Sequence, residues 1–347
     1  MRNGPRERCL SRSATLSCGL LFLAGCAHQA VAPPRPAAAA RVWPMAPANP
    51  QIRYVGAYPD LDRPPPTMSL WEKIVRAFVG FDEVQSHGPI LARPFGVAAV
   101  GDRFLVADPD GRQVLDIDWR KNELRRVECP DRPWTMPMAV AATADGTVWV
   151  ADGTAGVLVR VTPKGCSMIG AGHLERPTGV AVIDGRIYTV DPPRHDVVGF
   201  SADGNELVRF GSHGAGTSQF NFPTSIAAGA PGEVLVVDAL NFRVARFSTD
   251  GRFLGAFGEP GDGGGAFGRP KAVATDGTGR LYVSDAQNDV VIAYDAAGAY
   301  RLAFGGSGAA PGALTLPAGL AVGGHHVFVA DSQNHRIQIY ELLEEAR

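Results

Sequence analysis

The sequence predicts an all-β chain that folds as a six-bladed β-propeller, with one short helix in an insertion near the N-terminus. Six copies of a phrase begin with proline and continue into small residues, as in RPTGVAVI. A second β-forming run then ends in aspartate, as in VFVAD. Successive copies lie 39 to 47 residues apart, the period of a propeller blade. The anchors are Pro94, Pro137, Pro177, Pro223, Pro270 and Pro317, and Asp108, Asp152, Asp191, Asp238, Asp285 and Asp331.

Each copy contains further β-forming runs. A third run follows the aspartate in every copy, and in the fuller copies a fourth run ends in glycine, as in RFLGAFG. Apolar residues alternate with period two in these runs, which excludes helical repeats of similar length. A four-stranded blade has two apolar faces, and a closed ring buries each of them against a neighbouring blade.

The last copy stops at Tyr340–Glu341, after three strands. Upstream of the first copy, the phrase QIRYVGAY, which ends at Tyr58, is similar to the fourth-strand phrase GRFLGAFG. We therefore expect Ile52–Gly56 to supply the outer strand of the last blade. On this basis the propeller covers residues 51–342, with a closing strand at 51–57, a helical insertion at 58–93 and a short C-terminal tail at 343–347.

The phrases RPTGVAVIDGRIYTVD and VADSQNHRIQIYEL resemble NHL repeats, and the resemblance extends over about residues 51–342. It implies the propeller fold. It does not imply an activity, since the family contains binding modules, scaffolds and a few enzymes.

Residues 1–25 are predicted to be a lipoprotein signal peptide. Four arginines precede an apolar stretch that is too short to span a bilayer as a mature helix. The motif LAGC, Leu23–Cys26, then resembles the bacterial lipobox, and the resemblance implies that Cys26 becomes the lipidated N-terminus. The alternative is an ordinary signal peptide cleaved near Ala24 or Ala27.

Residues 26–50 are rich in alanine and proline and are predicted to be a tether. By the same resemblance, Ala27 implies the outer membrane, so we expect a propeller that is anchored by lipid and faces the periplasm. Without residues 1–25 the chain has 29 basic and 34 acidic residues, a net charge of −5. No basic patch argues for a nucleic-acid partner.

Cys129 and Cys166 are expected to remain unpaired. The repeat places them near opposite ends of neighbouring outer strands, whereas a disulfide needs Cα atoms within about 7 Å.

The phrase DSQNHR lies between the second and third strands of the last copy, and other copies have an equivalent phrase there, such as DALNFR. A catalytic group would be needed once and not in every blade. We therefore interpret Asp331, Asn334 and Arg336 as turn and inter-blade residues. His335 occupies the position that Phe242 occupies in DALNFR, and we expect no function for His335.

The residue before each anchor proline lies on a link between blades, close to the central channel. Around the ring these residues alternate between arginine and apolar side chains: Arg93, Met136, Arg176, Phe222, Arg269 and Leu316. The three arginines, Arg93, Arg176 and Arg269, are candidates to bind a carboxylate or a phosphate. The plainer alternative, which the sequence by itself favours because it shows no partner group, is that these arginines simply face solvent.

Within the insertion, SLWEKIVRAFVGF is predicted to be a helix that begins with a capping box, Ser69 and Glu72. An apolar stripe follows one side of this helix and is formed by Leu70, Trp71, Ile74, Val75 and Phe78. The plainer interpretation is that the stripe is buried against the propeller rim. The alternative is that Leu70, Trp71, Ile74 and Phe78 form a lid or bind a partner.

The inner strands contain few side chains that could act as catalytic groups or metal ligands. They are almost wholly small and apolar, with Lys271 and Asp276 as the charged exceptions, and the histidines are scattered. Six-bladed lyases and lactonases that resemble this family depend on metal ligands around the channel. We therefore expect no cofactor, and we interpret the chain as a lipid-anchored binding or scaffolding module for an envelope protein or a small anionic ligand. The alternative is a metal-dependent lyase or hydrolase with its site at the channel mouth.

Overall fold

Six antiparallel sheets account for nearly all of the regular structure. The computed structural model describes residues 41–45, 47–59 and 90–343, which form 25 strands and three short 3₁₀ turns. These strands assemble into the six blades of a propeller, which confirms the predicted fold class. The predicted helix lies outside the described residues. No helix in the described ranges is long and apolar enough to cross a membrane.

The strands follow the repeat, each blade running from its innermost to its outermost strand. Two strands precede the first blade, β1 (Val42–Trp43) and β2 (Ile52–Tyr58). Blade 1 contains β3 (Gly96–Val100), β4 (Arg103–Asp108), β5 (Gln113–Asp118) and β6 (Glu123–Arg126). Blade 2 contains β7 (Pro137–Ala142), β8 (Val148–Asp152), β9 (Val157–Thr162) and β10 (Gly165–Ile169). Blade 3 contains β11 (Gly179–Ile183), β12 (Arg186–Asp191), β13 (Asp196–Phe200) and β14 (Glu206–Phe210).

The second half of the ring has the same order. Blade 4 contains β15 (Pro223–Ala228), β16 (Glu233–Asp238), β17 (Arg243–Ser248) and β18 (Phe253–Phe257). Blade 5 contains β19 (Pro270–Thr275), β20 (Leu281–Asp285), β21 (Val290–Tyr294) and β22 (Tyr300–Gly305). Blade 6 contains β23 (Pro317–Gly323), β24 (His326–Asp331) and β25 (Arg336–Leu342). The 3₁₀ turns follow the second strands of blades 3, 4 and 6, at Pro192–Arg194, Ala239–Asn241 and Ser332–Asn334.

The ring is closed by a strand from the other end of the chain. β2 pairs antiparallel with β25, from Ile52 opposite Leu342 to Tyr58 opposite Ile337, and is thus the fourth strand of blade 6. β1 adds a fifth strand at the outer edge of β2. Its Trp43 ring packs against Tyr340 with ring centroids 5.7 Å apart. β1 therefore covers the outer edge of β2, whose backbone N–H and C=O groups would otherwise be unpaired. We call the closure of blade 6 by β2, together with the contact between blades 6 and 1, the seam.

The core lies between blades, because each blade presents apolar side chains on both faces. At the seam, Phe104 of blade 1 packs on Phe328 of blade 6, with ring centroids 4.9 Å apart. Phe210 of blade 3 packs on Phe247 of blade 4 at the same distance. Phe104, Phe247 and Phe328 are fully buried. Burial of this apolar area between neighbours stabilises the ring as a whole.

The anchor aspartates join each blade to the link that enters it. All six are fully buried at the end of a second strand. Each carboxylate accepts backbone N–H groups from residues just before the anchor proline, as Asp108 does from Ala92 and Arg93 at 2.7 and 2.8 Å. We call the side of the disc that carries these links and the turns between second and third strands the link face. The aspartates therefore fix the backbone of the link face.

The expectation for Cys129 and Cys166 was wrong: the structure joins them in a disulfide, with Cα atoms 5.8 Å apart. β6 ends at Arg126, and the chain then runs along the outer strand of blade 2. There the Trp134 indole donates to the Val127 carbonyl at 2.9 Å. A link must travel from the periphery to the axis, and this path brings Cys129 beside β10.

Candidate ligand site at the channel mouth

The six inner strands surround a central channel of about 310 Å³. Each inner strand contacts the inner strand of the next blade, and β23 contacts β3 to close the circle. Small residues make this approach possible. A Cβ atom added to Gly96 of blade 1 would lie 2.6 Å from the Met138 carbonyl oxygen of blade 2. The lining is mostly alanine, valine and glycine, so polar side chains in it are few.

The three predicted arginines lie on the link face, exposed to solvent. The backbone N–H groups of Arg93, Arg176 and Arg269 all donate to the buried anchor aspartate of the blade that they enter, at 2.8 to 3.0 Å. Their backbone positions are therefore fixed, while their side chains are exposed on the link face. Arg93 also pairs with Asp110, with Nε 3.1 Å from Oδ2.

Lys271 adds a cation that the sequence did not place in the site. It is the second residue of β19 and lies in the channel lining, partly buried. Burial lowers the pKa of Lys271, and the neighbouring charges of Arg269 and Arg93 lower it further. Arg269 enters the same blade as Lys271, and Arg93 enters blade 1, two blades further round the ring. The third arginine, Arg176, enters blade 3, so the arginines alternate round the ring and Lys271 adds a second cation at blade 5.

The hydroxyl groups near Lys271 serve the contacts between blades. Thr178 donates to the Thr224 carbonyl at 3.1 Å, and Thr224 donates to the Lys271 carbonyl at 2.9 Å. Further round, Ser284 donates to the Ala318 carbonyl at 2.5 Å. These bonds hold the backbone of the mouth, including that of Lys271, in one arrangement.

Apolar side chains complete the link face. Phe222 is 39% exposed, and Leu240 and Leu316 are each 49% exposed. They lie on blades 4 and 6, so the cations of Arg269 and Lys271 stand between apolar groups. A ligand at this mouth would meet charged donors and apolar surface together.

The phrase DSQNHR is a turn in the structure. Asn334 and Arg336 both donate to the Asp331 carboxylate, at 2.9 and 2.8 Å. His335 has a φ of 56°, and the residues four positions after the other anchor aspartates share this left-handed conformation. Its Nδ1 lies 2.5 Å from the Ala92 carbonyl oxygen. His335 is thus a turn residue that contacts the link into blade 1.

Metal-ligating side chains do not cluster in residues 41–45, 47–59 and 90–343. No group of three or more His, Cys, Asp or Glu is placed to hold an ion there. The rings of His195 and His213 pack together, with centroids 4.6 Å apart. His326 lies buried beside Trp119. The predicted partner-binding residues Leu70, Trp71, Ile74 and Phe78, and the predicted lipidation site Cys26, lie outside the described residues.

The fold and its repeat relate the chain to known proteins. It is a six-bladed β-propeller, and residues 314–340, most of blade 6, match the family model of the NHL repeat. This match confirms the resemblance for the last copy of the repeat. No curated protein sequence matches the chain significantly.

Solved structures share the propeller at low sequence identity. A virginiamycin B lyase from Staphylococcus aureus is 14% identical, with a TM-score of 0.54 over 73% of this chain and 96% of the lyase. A protein of unknown function from Bacteroides thetaiotaomicron is 15% identical, with a TM-score of 0.59 over 74% of this chain and 72% of that one. An auxiliary nutrient binding protein from the same organism is 12% identical, with a TM-score of 0.57 over 73% and 70% of the respective chains. At these identities the likeness shows the fold alone.

Proposed function

We propose that this protein is a binding module that takes a small anionic ligand at the channel mouth on its link face. The observation that carries the proposal is that Lys271, partly buried, is the one charged side chain in the described channel lining, while Arg93 and Arg269 are exposed on the same face and lower its pKa. Like charges that meet in a partly buried site are unfavourable until an anion neutralises them. The nutrient binding protein with the same fold is compatible with such a role.

The test is calorimetric titration of the propeller with acetate, succinate and inorganic phosphate at low ionic strength. We expect the triple variant Arg93→Ala, Arg176→Ala and Arg269→Ala to lose binding of whichever anions the wild type binds. Arg186→Ala is the matched control, since it removes an exposed arginine from the start of β12, on the opposite face. If the wild type binds none of these anions, or the triple variant binds them as well as the wild type, the proposal is wrong.

We further propose that the module is anchored through Cys26 in the cell envelope, as a periplasm-facing lipoprotein of the outer membrane, where it also meets an envelope protein. The support for this proposal is the lipobox-like motif at Leu23–Cys26. Growth with an alkyne analogue of palmitate should label the wild-type chain in the outer-membrane fraction. Cys26→Ser should lose both the label and the membrane association. A labelled Cys26→Ser chain would contradict the anchor.

The metal-dependent lyase or hydrolase that the sequence left open has no comparable support. Within the described residues no set of side chains is arranged as metal ligands, and the lyase and gluconolactonase neighbours share only the fold. Binding therefore remains the function that the channel mouth supports best.

A further inference from the structure

The channel mouth is asymmetric in a way that the six repeats are not. The residue after each anchor proline lines the mouth, and in five blades this residue is uncharged: Phe95, Met138, Thr178, Thr224 and Ala318. Blade 5 alone has a charged residue, Lys271, at this position. The ring closes in the other five blades without a charge there, so packing between blades gives no reason for an ammonium group at this point.

We propose that Lys271, and not Arg176, is the third cation of the anion site, and that the site selects a compact dianion of the phosphate-monoester class. This inference rests on the proposed function. Arg269 and Lys271 are separated in the chain only by Pro270, so their charges lie on the same part of the mouth. Arg176 enters blade 3, which like blade 1 lies two blades from blade 5, but only Arg269 and Arg93 are among the charges that lower the pKa of Lys271.

The side-chain contacts support this assignment. Within the described part of the chain, the Lys271 ammonium makes no hydrogen bond or ion pair, although it is partly buried. The Thr224 hydroxyl, on the inner strand of blade 4, donates to the Lys271 backbone carbonyl. A partly buried ammonium without an acceptor is costly, and a bound anion would supply the acceptor.

The charge balance indicates the class of ligand. Arg93 already pairs with Asp110, at 3.1 Å. Arg269 and Lys271 have no such partner among the described residues, so about two positive charges remain to be neutralised. A phosphate monoester carries between one and a half and two negative charges near neutral pH on three adjacent oxygens. The guanidinium fork and the ammonium can both donate to one group of that shape, whereas a monocarboxylate would balance only one of the two charges.

The experiment titrates the propeller with inorganic phosphate and, separately, with acetate at pH 7.5 and low salt. We expect phosphate to bind at least about tenfold more tightly than acetate. Lys271→Met should weaken phosphate binding by about tenfold or more, the usual effect of losing one charged hydrogen bond. Lys271→Arg should stay within a few-fold of the wild type, because it keeps the charge. Arg176→Ala should weaken phosphate binding far less than Lys271→Met, and the control Arg186→Ala should leave the affinity essentially unchanged.

The outcomes separate this inference from the proposed function. If Lys271→Met binds phosphate as tightly as the wild type while the triple arginine variant does not bind it, the role of Lys271 is refuted and the anion site stands. Equal loss in Arg176→Ala and Lys271→Met would also refute it. Acetate binding as tight as that of phosphate would refute the dianion class. If the wild type binds neither anion, both proposals fail. Thermal melting of each variant distinguishes lost binding from lost folding.

Discussion

Buried carboxylates recur at the same residue position in every blade, and their partners explain why they are tolerated. A buried ionised group is costly unless hydrogen bonds satisfy its oxygens. Asp331 accepts the Thr315 backbone N–H at 2.7 Å, the Asn334 amide at 2.9 Å and the Arg336 guanidinium at 2.8 Å. These donors come from the entering link, the turn and the third strand. A single side chain thus joins three segments of one blade.

Replacement of Asp331 by alanine should therefore destabilise the propeller strongly. The Arg336 side chain is only 11% exposed and would lose its carboxylate partner. Breaking a buried pair in this way typically costs about 3–5 kcal/mol. Asp110→Ala is the control, since Asp110 is 54% exposed and its pair with Arg93 should contribute less than about 1 kcal/mol. Urea unfolding measures both variants, and equal midpoints would contradict this role for Asp331.

At the scale of elements, the link between blades 1 and 2 makes contacts with β10 that the repeated sequence pattern does not predict. The Arg132 guanidinium contacts the Met168 sulfur at 3.0 Å, and Cys129 is bonded to Cys166 on the same strand, β10. The outer strand of blade 2 is therefore tied to the segment that leaves blade 1. Outer strands have one free edge, so a covalent bond there restrains a part of the blade that is otherwise weakly held.

Removal of this disulfide should lower the stability of the whole domain. The bond joins residues 37 positions apart, and the chain-entropy model gives about 4 kcal/mol for a loop of that size. We expect the double variant Cys129→Ser and Cys166→Ser to unfold at lower urea concentration than the oxidised wild type. Reduction should destabilise the wild type and leave the double variant unchanged. If reduction has no effect on the wild type, the disulfide does not contribute as expected.

The strands could be predicted from the sequence because each blade repeats the same pattern of proline, small residues and aspartate. The link into blade 2 could not, because its path depends on the packing of Trp134 and not on a repeated motif. For the candidate site, Arg93 and Arg269 follow from their place before an anchor proline. Lys271 is visible in the sequence as a charge on an inner strand. Lys271 belongs to blade 5 and Arg93 to the link into blade 1, and these blades are remote in sequence. Only the closed ring therefore reveals that the charge of Arg93 acts on Lys271.

For the whole molecule, closure brings together the most distant parts of the chain. β2 pairs with β25 across 279 to 290 residues, and blade 6 contacts blade 1 at the axis. There the Gly319 N–H donates to the Phe95 carbonyl at 2.7 Å, and the Ser332 hydroxyl donates to the Pro94 carbonyl at 2.5 Å. Contacts of such long sequence separation form late in folding. The geometry of the seam therefore depends on contacts between residues that are far apart in sequence.

Gly319→Ala tests that seam directly. An added Cβ would overlap the Phe95 carbonyl oxygen and lie 3.0 Å from the Gly96 Cα. Both neighbours are backbone atoms of blade 1, so relief requires two blades to move apart and not a side chain to rotate. Such overpacking typically costs about 1–3 kcal/mol.

Gly255→Ala, in the outer strand β18, is the matched control for this prediction. A Cβ at Gly255 would have no atom within 4 Å, so the variant should be neutral or slightly more stable, as alanine loses less backbone entropy in a strand. Urea unfolding compares the two variants. Because the same axial ring positions Arg93 relative to Lys271, Gly319→Ala should also weaken anion binding at the mouth, and Gly255→Ala should not. Equal stability of the two variants would mean that the inner strands can separate without cost. It would contradict the claim that a rigid ring of inner strands positions the site.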